Sequence, residues 1–373
     1  MRKTSFVILC LEGATLSFNV AAAAALIPSI SKEFATPPFV TGKIVWLYML
    51  PYGVAALFYG PLVRIFNAKK IELACFLLFC LANLFAAVSK NITALFAARF
   101  LMGVFGASVI PLVLILIGKN TEAKNRGRLV GIFFSATFIA SLLGLLLSGI
   151  IPWRLIFLIP AIFGFLLWIH MCIYLEEFKS EAEGFRINYL EAVKSKTVLS
   201  VFTYIFCISL CYHGIQQWLS VYFSSKFNFS QFLISVLITL TSLSGIIGEI
   251  VGGFGSDKWG RVKTINAGII LMCVCSLCLV LRLPLAVLAV IMIIWGLGWT
   301  LNHAGLSTLL TDLPKEFLNE SASLNSSVRF ISGGLGAGIG GILMNKSFEL
   351  GYMIFGSGLI LLLLFGRKLL VVK

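Results

Sequence analysis

Several side chains that can carry charge sit inside long apolar stretches: Glu12, Arg99, His213, Glu249, His303 and Arg329. An ionisable group in hydrocarbon is costly, so each is a candidate for function. The charged form of a carboxyl is the expensive one there, so Glu12 can load a proton on one side of a barrier and release it on the other. The competing role for Glu12 is a near-interface glutamate that snorkels or caps a neighbouring helix. Arg99 is either a coupling partner of Glu12 or a brace bonded to backbone carbonyls. Glu249 and Arg329 read as a structural pair. No Walker phosphate loop, no His-Glu-x-x-His and no Gly-x-Ser-x-Gly occurs, so no enzyme activity and no cofactor is expected. Cys273, Cys275 and Cys278 lack neighbouring His or acidic residues, and no metal site is expected there.

Helical periodicity groups further polar residues with these. Glu12, Thr15 and Asn19 share one face of the first apolar run. His213, Gln216, Gln217 and Ser220 do so on the seventh, and Trp295, Trp299, Asn302 and His303 on the tenth. At 1.5 Å per residue, Glu12, Glu249, His303 and Arg329 fall at depths of about 8–12 Å from one membrane face. Arg99, level with Asn19, lies about 27 Å in and His213 about 24 Å. Glu12 and Arg99 therefore differ by about 17 Å in depth, which argues against direct contact.

The surrounding chain dictates this membrane reading. Of 373 residues, 59% are hydrophobic and only 12% charged, with a mean hydropathy of +1.01. Soluble domains carry about 25% charge. Apolar runs fall near 5–27, 41–63, 71–89, 93–117, 127–150, 152–174, 197–222, 231–254, 264–281, 284–311, 321–344 and 350–366. That is an all-α, multi-pass membrane protein with the lipid bilayer as its solvent. The N-terminal run imitates a signal peptide but is read as an uncleaved first span. The net charge of +14 is not a nucleic-acid footprint, because the basic residues lie in short gaps between the runs. Lys69, Lys70, Lys119, Lys124, Arg126, Arg128, Lys194, Lys196, Lys258, Arg261 and Lys263 fall on the side of the termini. Only Lys32, Lys43, Lys90, Arg154, Lys226, Arg282 and Lys346 face the other, so both termini are expected in the cytoplasm.

The chain also repeats. A polar stretch, 176–196, separates a six-span half, 1–175, from a second, 197–373. After the eighth run comes Gly253-Phe-Gly-Ser-Asp257-Lys258-Trp-Gly260-Arg261-Val-Lys263, and the equivalent loop of the first half runs from Gly60 to Lys70. The 253–263 segment resembles the loop signature of the major facilitator superfamily at every defined position. The 60–70 copy keeps Gly60, Lys69 and Lys70 but has Arg64 where the acid belongs and Asn67 for the second glycine. Arg99-Phe-Leu-Met-Gly103 is similar to the family's helix-4 pattern. Gly131, Ala140, Gly144, Ser148 and Gly149 form a partial antiporter signature, and Trp153-Arg154 with Phe157 opens the sixth run as in many relatives.

The resemblance covers the chain and is closest to bacterial twelve-helix drug:proton antiporters and small-solute efflux proteins. It implies two pseudo-symmetric six-helix bundles, a monomer in the bacterial inner membrane, and helices 1, 4, 7 and 10 lining one cavity. Thr15, Asn19, His213, Gln217, Trp295, Trp299, Asn302 and His303 then become cavity residues, the tryptophans able to stack on a planar or cationic solute. Gly60, Gly253, Asp257, Lys258, Gly260, Arg261 and Lys263 become a cytoplasmic gate. The implied activity is proton-coupled efflux of a small organic solute by rocker-switch alternating access. A metabolite importer on the same fold, and a membrane scaffold or sensor that transports nothing, are the alternatives.

Overall fold

The computed structural model describes residues 3–120, 123–176, 189–313 and 318–370. Every regular element within them is helical. Among the described residues, twelve spans are long and apolar enough to cross a membrane. The first six are α1 (Lys3–Ala25), α2 (Pro38–Leu62), α3 (Ala68–Ala87), α4 (Ile92–Leu114), α5 (Arg128–Leu147) and α6 (Trp153–Tyr174). The second six are α7 (Lys196–Phe227), α8 (Gln231–Lys258), α9 (Arg261–Cys278), α10 (Leu285–Thr311), α11 (Ser323–Lys346) and α12 (Phe348–Lys368).

Local chemistry fixes many of the ends. The side chains of Asn67, Asn91, Ser230 and Ser347 accept from the backbone N–H three residues on and so start α3, α4, α8 and α12. Proline residues precede α6 and α10 at Pro152 and Pro284. Asn228, in the left-handed region at φ 54°, ends α7.

The chain forms two compact units, Met1–Arg186 and Ile187–Lys373. Most of the polar stretch 176–196 expected to link two halves, residues 177–188, lies outside the described residues. Within the first unit α1 packs on α5 and α6, α2 on α4, and α3 on α4 and α6. The second unit repeats the set: α7 on α11 and α12, α8 on α10, and α9 on α10 and α12. Two bundles with one packing scheme are what an internal repeat requires.

The repeat extends to local irregularity. α1 is interrupted between Ser17 and Val20, with Asn19 at the junction. α7 is interrupted at Gln217 and Trp218, between Gln216 and Leu219. Small residues let a neighbour close on each break. A Cβ at Gly144 of α5 would sit 1.7 Å from the Phe18 carbonyl oxygen, and one at Gly340 of α11 would sit 2.4 Å from the Gly214 carbonyl oxygen. Trp218 Nε1 donates to the Ala337 carbonyl at 2.8 Å and fixes the α7 break to α11.

Each bundle is also tied at the end away from its first residue. Glu33, just past α1, meets Arg154 at the start of α6 at 2.7 Å and accepts from Trp153 Nε1. Arg154 Nη1 donates to the Ala87 and Ser89 carbonyls beyond α3, each at 2.8 Å. In the second bundle Lys226, near the end of α7, meets Glu349 at the start of α12 at 2.7 Å. The positions correspond and the charges are exchanged.

Candidate functional site

In the first bundle the site centres on Glu12. Glu12 on α1 and Glu72 on α3 are both 0% exposed. The two carboxyl groups are near enough to act on each other. No donor from another residue bonds any of the four oxygens. Two carboxylates are both acceptors, so a bond between them needs a proton on one. Two full charges this close in a low-dielectric interior repel strongly, so the arrangement favours a protonated partner. Glu72 was not singled out from the sequence. It stands near the start of an apolar run, where an acid reads as an end charge, and only the packing turns it inward.

The remaining polar residues of α1 are also enclosed. Thr15 is buried and donates to the Leu11 carbonyl of its own helix at 2.7 Å. Asn19, at the α1 break, donates to Asn83 Oδ1 of α3, and Asn83 in turn donates to the Phe79 carbonyl at 2.9 Å. Periodicity put Glu12, Thr15 and Asn19 on one face, which was expected to line a cavity. Here the polar groups of Thr15 and Asn19 are engaged within their own bundle.

Arg99 is 1% exposed. Its Nε donates to the Ile44 carbonyl at 2.9 Å, and its guanidinium lies 4.4 Å from the Tyr48 ring centroid and 5.9 Å from that of Phe157. Nothing joins Arg99 to Glu12. The expected coupling partnership is therefore not formed, and Arg99 braces α4 against the start of α2 and against α6. A charge buried on carbonyl and aromatic faces needs no carboxylate.

In the second bundle an aromatic stack joins α7 and α10. Tyr212 lies parallel to Trp299 with centroids 3.8 Å apart, and to Trp295 at 5.2 Å. Trp295 is 0% exposed and donates from Nε1 to Gln216 Oε1 at 2.7 Å. Trp299, Gln216, Gln217 and His213 are half-buried, and His213 Nδ1 lies 3.0 Å from Gln217 Nε2. Of the predicted pair, Trp299 keeps surface for a ligand and Trp295 does not. Asn302 is fully buried and donates to Tyr204 OH and to the Ile265 carbonyl, each at 3.3 Å. It braces α7, α9 and α10 rather than lining a cavity. Tyr212 and Gln216 complete the cluster. Gln216 shared the predicted polar face, whereas Tyr212 was not singled out from the sequence.

The expected Glu249–Arg329 pair is replaced. His303 Nδ1 lies 2.7 Å from Glu249 Oε1, an ion-pair distance without hydrogen-bond alignment. The two lie on adjacent helices, α10 and α8, and both are partly exposed. Arg329 Nε donates to Asn325 Oδ1 at 2.8 Å, and its two terminal nitrogens have no hydrogen-bond partner. Arg329 is still close enough to act on Glu249 and His213 through space. Sequence spacing places residues on faces but not at the crossing that brings α8 to α10.

At the α8–α9 turn, Arg261 gathers its neighbours. Nη1 bonds Asp257 Oδ1 at 3.0 Å and the Ser256 carbonyl at 2.9 Å, and Nε bonds Asp312 Oδ2 at 3.1 Å. Gly260 takes φ +95°, open to glycine and strained for other residues. Lys258 and Lys263 are exposed. Asp312, just past α10, is the partner that the loop motif alone did not show. In the first bundle Gly60 is buried within α2, and the side chain of Arg64 lies outside the described residues. Among the described residues no cluster of His, Cys, Asp and Glu could hold a metal ion.

Two broken-helix bundles with one packing scheme define a membrane transporter fold. Residues 9–340 match the Major Facilitator Superfamily, and the chain belongs to that family. It is a small-solute transporter rather than an enzyme. Among its relatives is the purine ribonucleoside efflux pump NepI of Salmonella paratyphi B, 26% identical over 90% of this chain and 86% of the relative. The uncharacterized MFS-type transporter YbcL of Bacillus subtilis is 23% identical over 89% of this chain and 88% of the relative. Among solved structures, a mutant of the nucleoside transporter NupG has a TM-score of 0.78 at 14% identity, covering 98% of this chain and 100% of that one. An inward-facing, unoccupied bacterial homologue of the human lysosomal transporter Spinster gives 0.76 at 13%, covering 99% and 96%.

Proposed function

We propose that this protein is a proton-coupled exporter of a small, planar organic solute, working as a monomer by rocker-switch alternating access in a bacterial inner membrane, with both termini cytoplasmic. The observation that carries the proton is Glu12: a fully buried carboxyl on the first helix, with no cation bonded to it. A carboxylate held by an arginine would be locked in its charged form, and Glu12 is not. The planar solute rests on the half-buried ring of Trp299, which is backed by the buried ring of Tyr212 and has the imidazole and amide of His213 and Gln217 beside it. Stacked rings with adjacent polar groups suit a heteroaromatic ring. The purine ribonucleoside efflux pump among the relatives agrees with that class.

The test uses inside-out membrane vesicles containing the protein. Radiolabelled inosine and a set of planar organic cations are offered while the lumen is made acid. The expected result is accumulation of at least one solute, abolished by a protonophore and by Glu12→Gln, with solute counterflow retained in Glu12→Gln. Accumulation only under the reverse gradient would make the protein an importer. Solute binding without flux under any gradient would make it a sensor.

A further inference from the structure

We infer that Glu72 is the second half of the proton site, so that Glu12 and Glu72 hold one proton between them. The inference rests on Glu12 being the proton carrier and adds the residue that shares its load.

Both side chains are wholly enclosed, on α1 and α3, none of their four oxygens is bonded by another residue, and the two carboxyls are near enough to act on each other. The titratable groups near enough to act on the pair are Cys75 and Cys80 of α3 and Tyr59 of α2. These are two thiols and a phenol. Among the described residues, no lysine, arginine or histidine is among the groups that act on the pair, whether from α4, α5 or α6, the helices packed against α1 and α3. The hydroxyl of Tyr59 is engaged by the Val104 carbonyl at 2.9 Å, and Cys75 leans on Tyr59. The two carboxyls therefore have only each other. In the loaded state the O–H of one donates to a carboxylate oxygen of its partner, and the pair carries one negative charge. Release of that proton leaves two negative charges facing each other, a state that needs water to enter. Loading and unloading thus belong to the pair and not to either residue.

The experiment is an infrared pH titration of the full chain reconstituted in lipid, reading the carboxylic C=O stretch. It needs no transported solute. Wild-type protein is expected to show a carboxyl band broadened by strong hydrogen bonding. Glu72→Gln should leave a narrower, displaced band from Glu12 and move its midpoint by at least about one pH unit, the tenfold effect of a close like charge. Glu12→Gln should displace the Glu72 band reciprocally, and this serves if Glu72→Gln does not fold. A band and midpoint unchanged by Glu72→Gln would overturn the shared site. If Glu12→Gln still abolishes gradient-driven accumulation in vesicles, Glu12 alone remains the carrier. If Glu12→Gln leaves accumulation intact while the bands respond as expected, the carboxyl pair stands and the coupling role of Glu12 falls.

Discussion

At the scale of single residues, burial separates positions that look alike in the sequence. Trp295 and Trp299 lie one helical turn apart on the same face of α10, yet the first is sealed and the second is half-buried. Trp295→Ala should destabilise the protein by about 3–5 kcal/mol, the cost of an emptied aromatic site. Trp299→Ala should weaken solute binding about threefold to tenfold, with a smaller loss of stability. Thermal unfolding and binding titrations on both variants separate the two effects. Arg99 is tested the same way. Arg99→Lys keeps the charge but loses the Nε bond to the Ile44 carbonyl and the guanidinium contact with the Tyr48 ring, and should cost about 1–3 kcal/mol. The pH profile of transport should not move, because Arg99 touches no part of the Glu12 site. A shifted profile would return Arg99 to the coupling machinery.

At the scale of helices, ties at the far ends and small-residue contacts at the breaks hold each bundle. The two ties are unequal. Lys226 and Glu349 form a half-exposed ion pair, and Lys226→Met should cost no more than about 1 kcal/mol. Arg154 bonds Glu33 and two backbone carbonyls, so Arg154→Met also strands acceptors at the end of α3. Its loss should reach about 2–3 kcal/mol, even with part of the Glu33 contact screened by solvent. Midpoints of thermal unfolding in one detergent rank them, and equal losses would show that the carbonyl bonds contribute nothing.

At the scale of the whole molecule, the hydropathy pattern was sufficient to find all twelve spans, because a span needs only length and apolarity. The Gly253–Lys263 segment was likewise legible, since its glycines, acid and bases are specified by position. Partners across helices were not legible. Glu72 faces Glu12, His303 takes the place of Arg329 beside Glu249, and Asp312 completes the Arg261 cluster, each because two helices cross where no sequence spacing records it. The burial of Thr15, Asn19 and Asn302 was not legible for a related reason: periodicity names a face, and packing decides whether protein or water meets it. The Arg261 cluster carries a prediction for the transport cycle. Asp257 is largely exposed and contributes one arm of the cluster, while Asp312 contributes the other. Asp257→Asn should slow turnover several-fold with solute affinity unchanged, seen as a fall in kcat at constant KM. A change in KM alone would remove this turn from the gate.

The exchanged charges of the two ties bear on how the chain assembles. Glu33 belongs with Arg154, and Lys226 with Glu349. Were the opening helix of one half to dock on the closing helix of the other, Glu33 would confront Glu349 and Lys226 would confront Arg154. Both mismatches are repulsive, so a nascent chain with two near-equivalent halves carries an electrical check against crossing them during insertion.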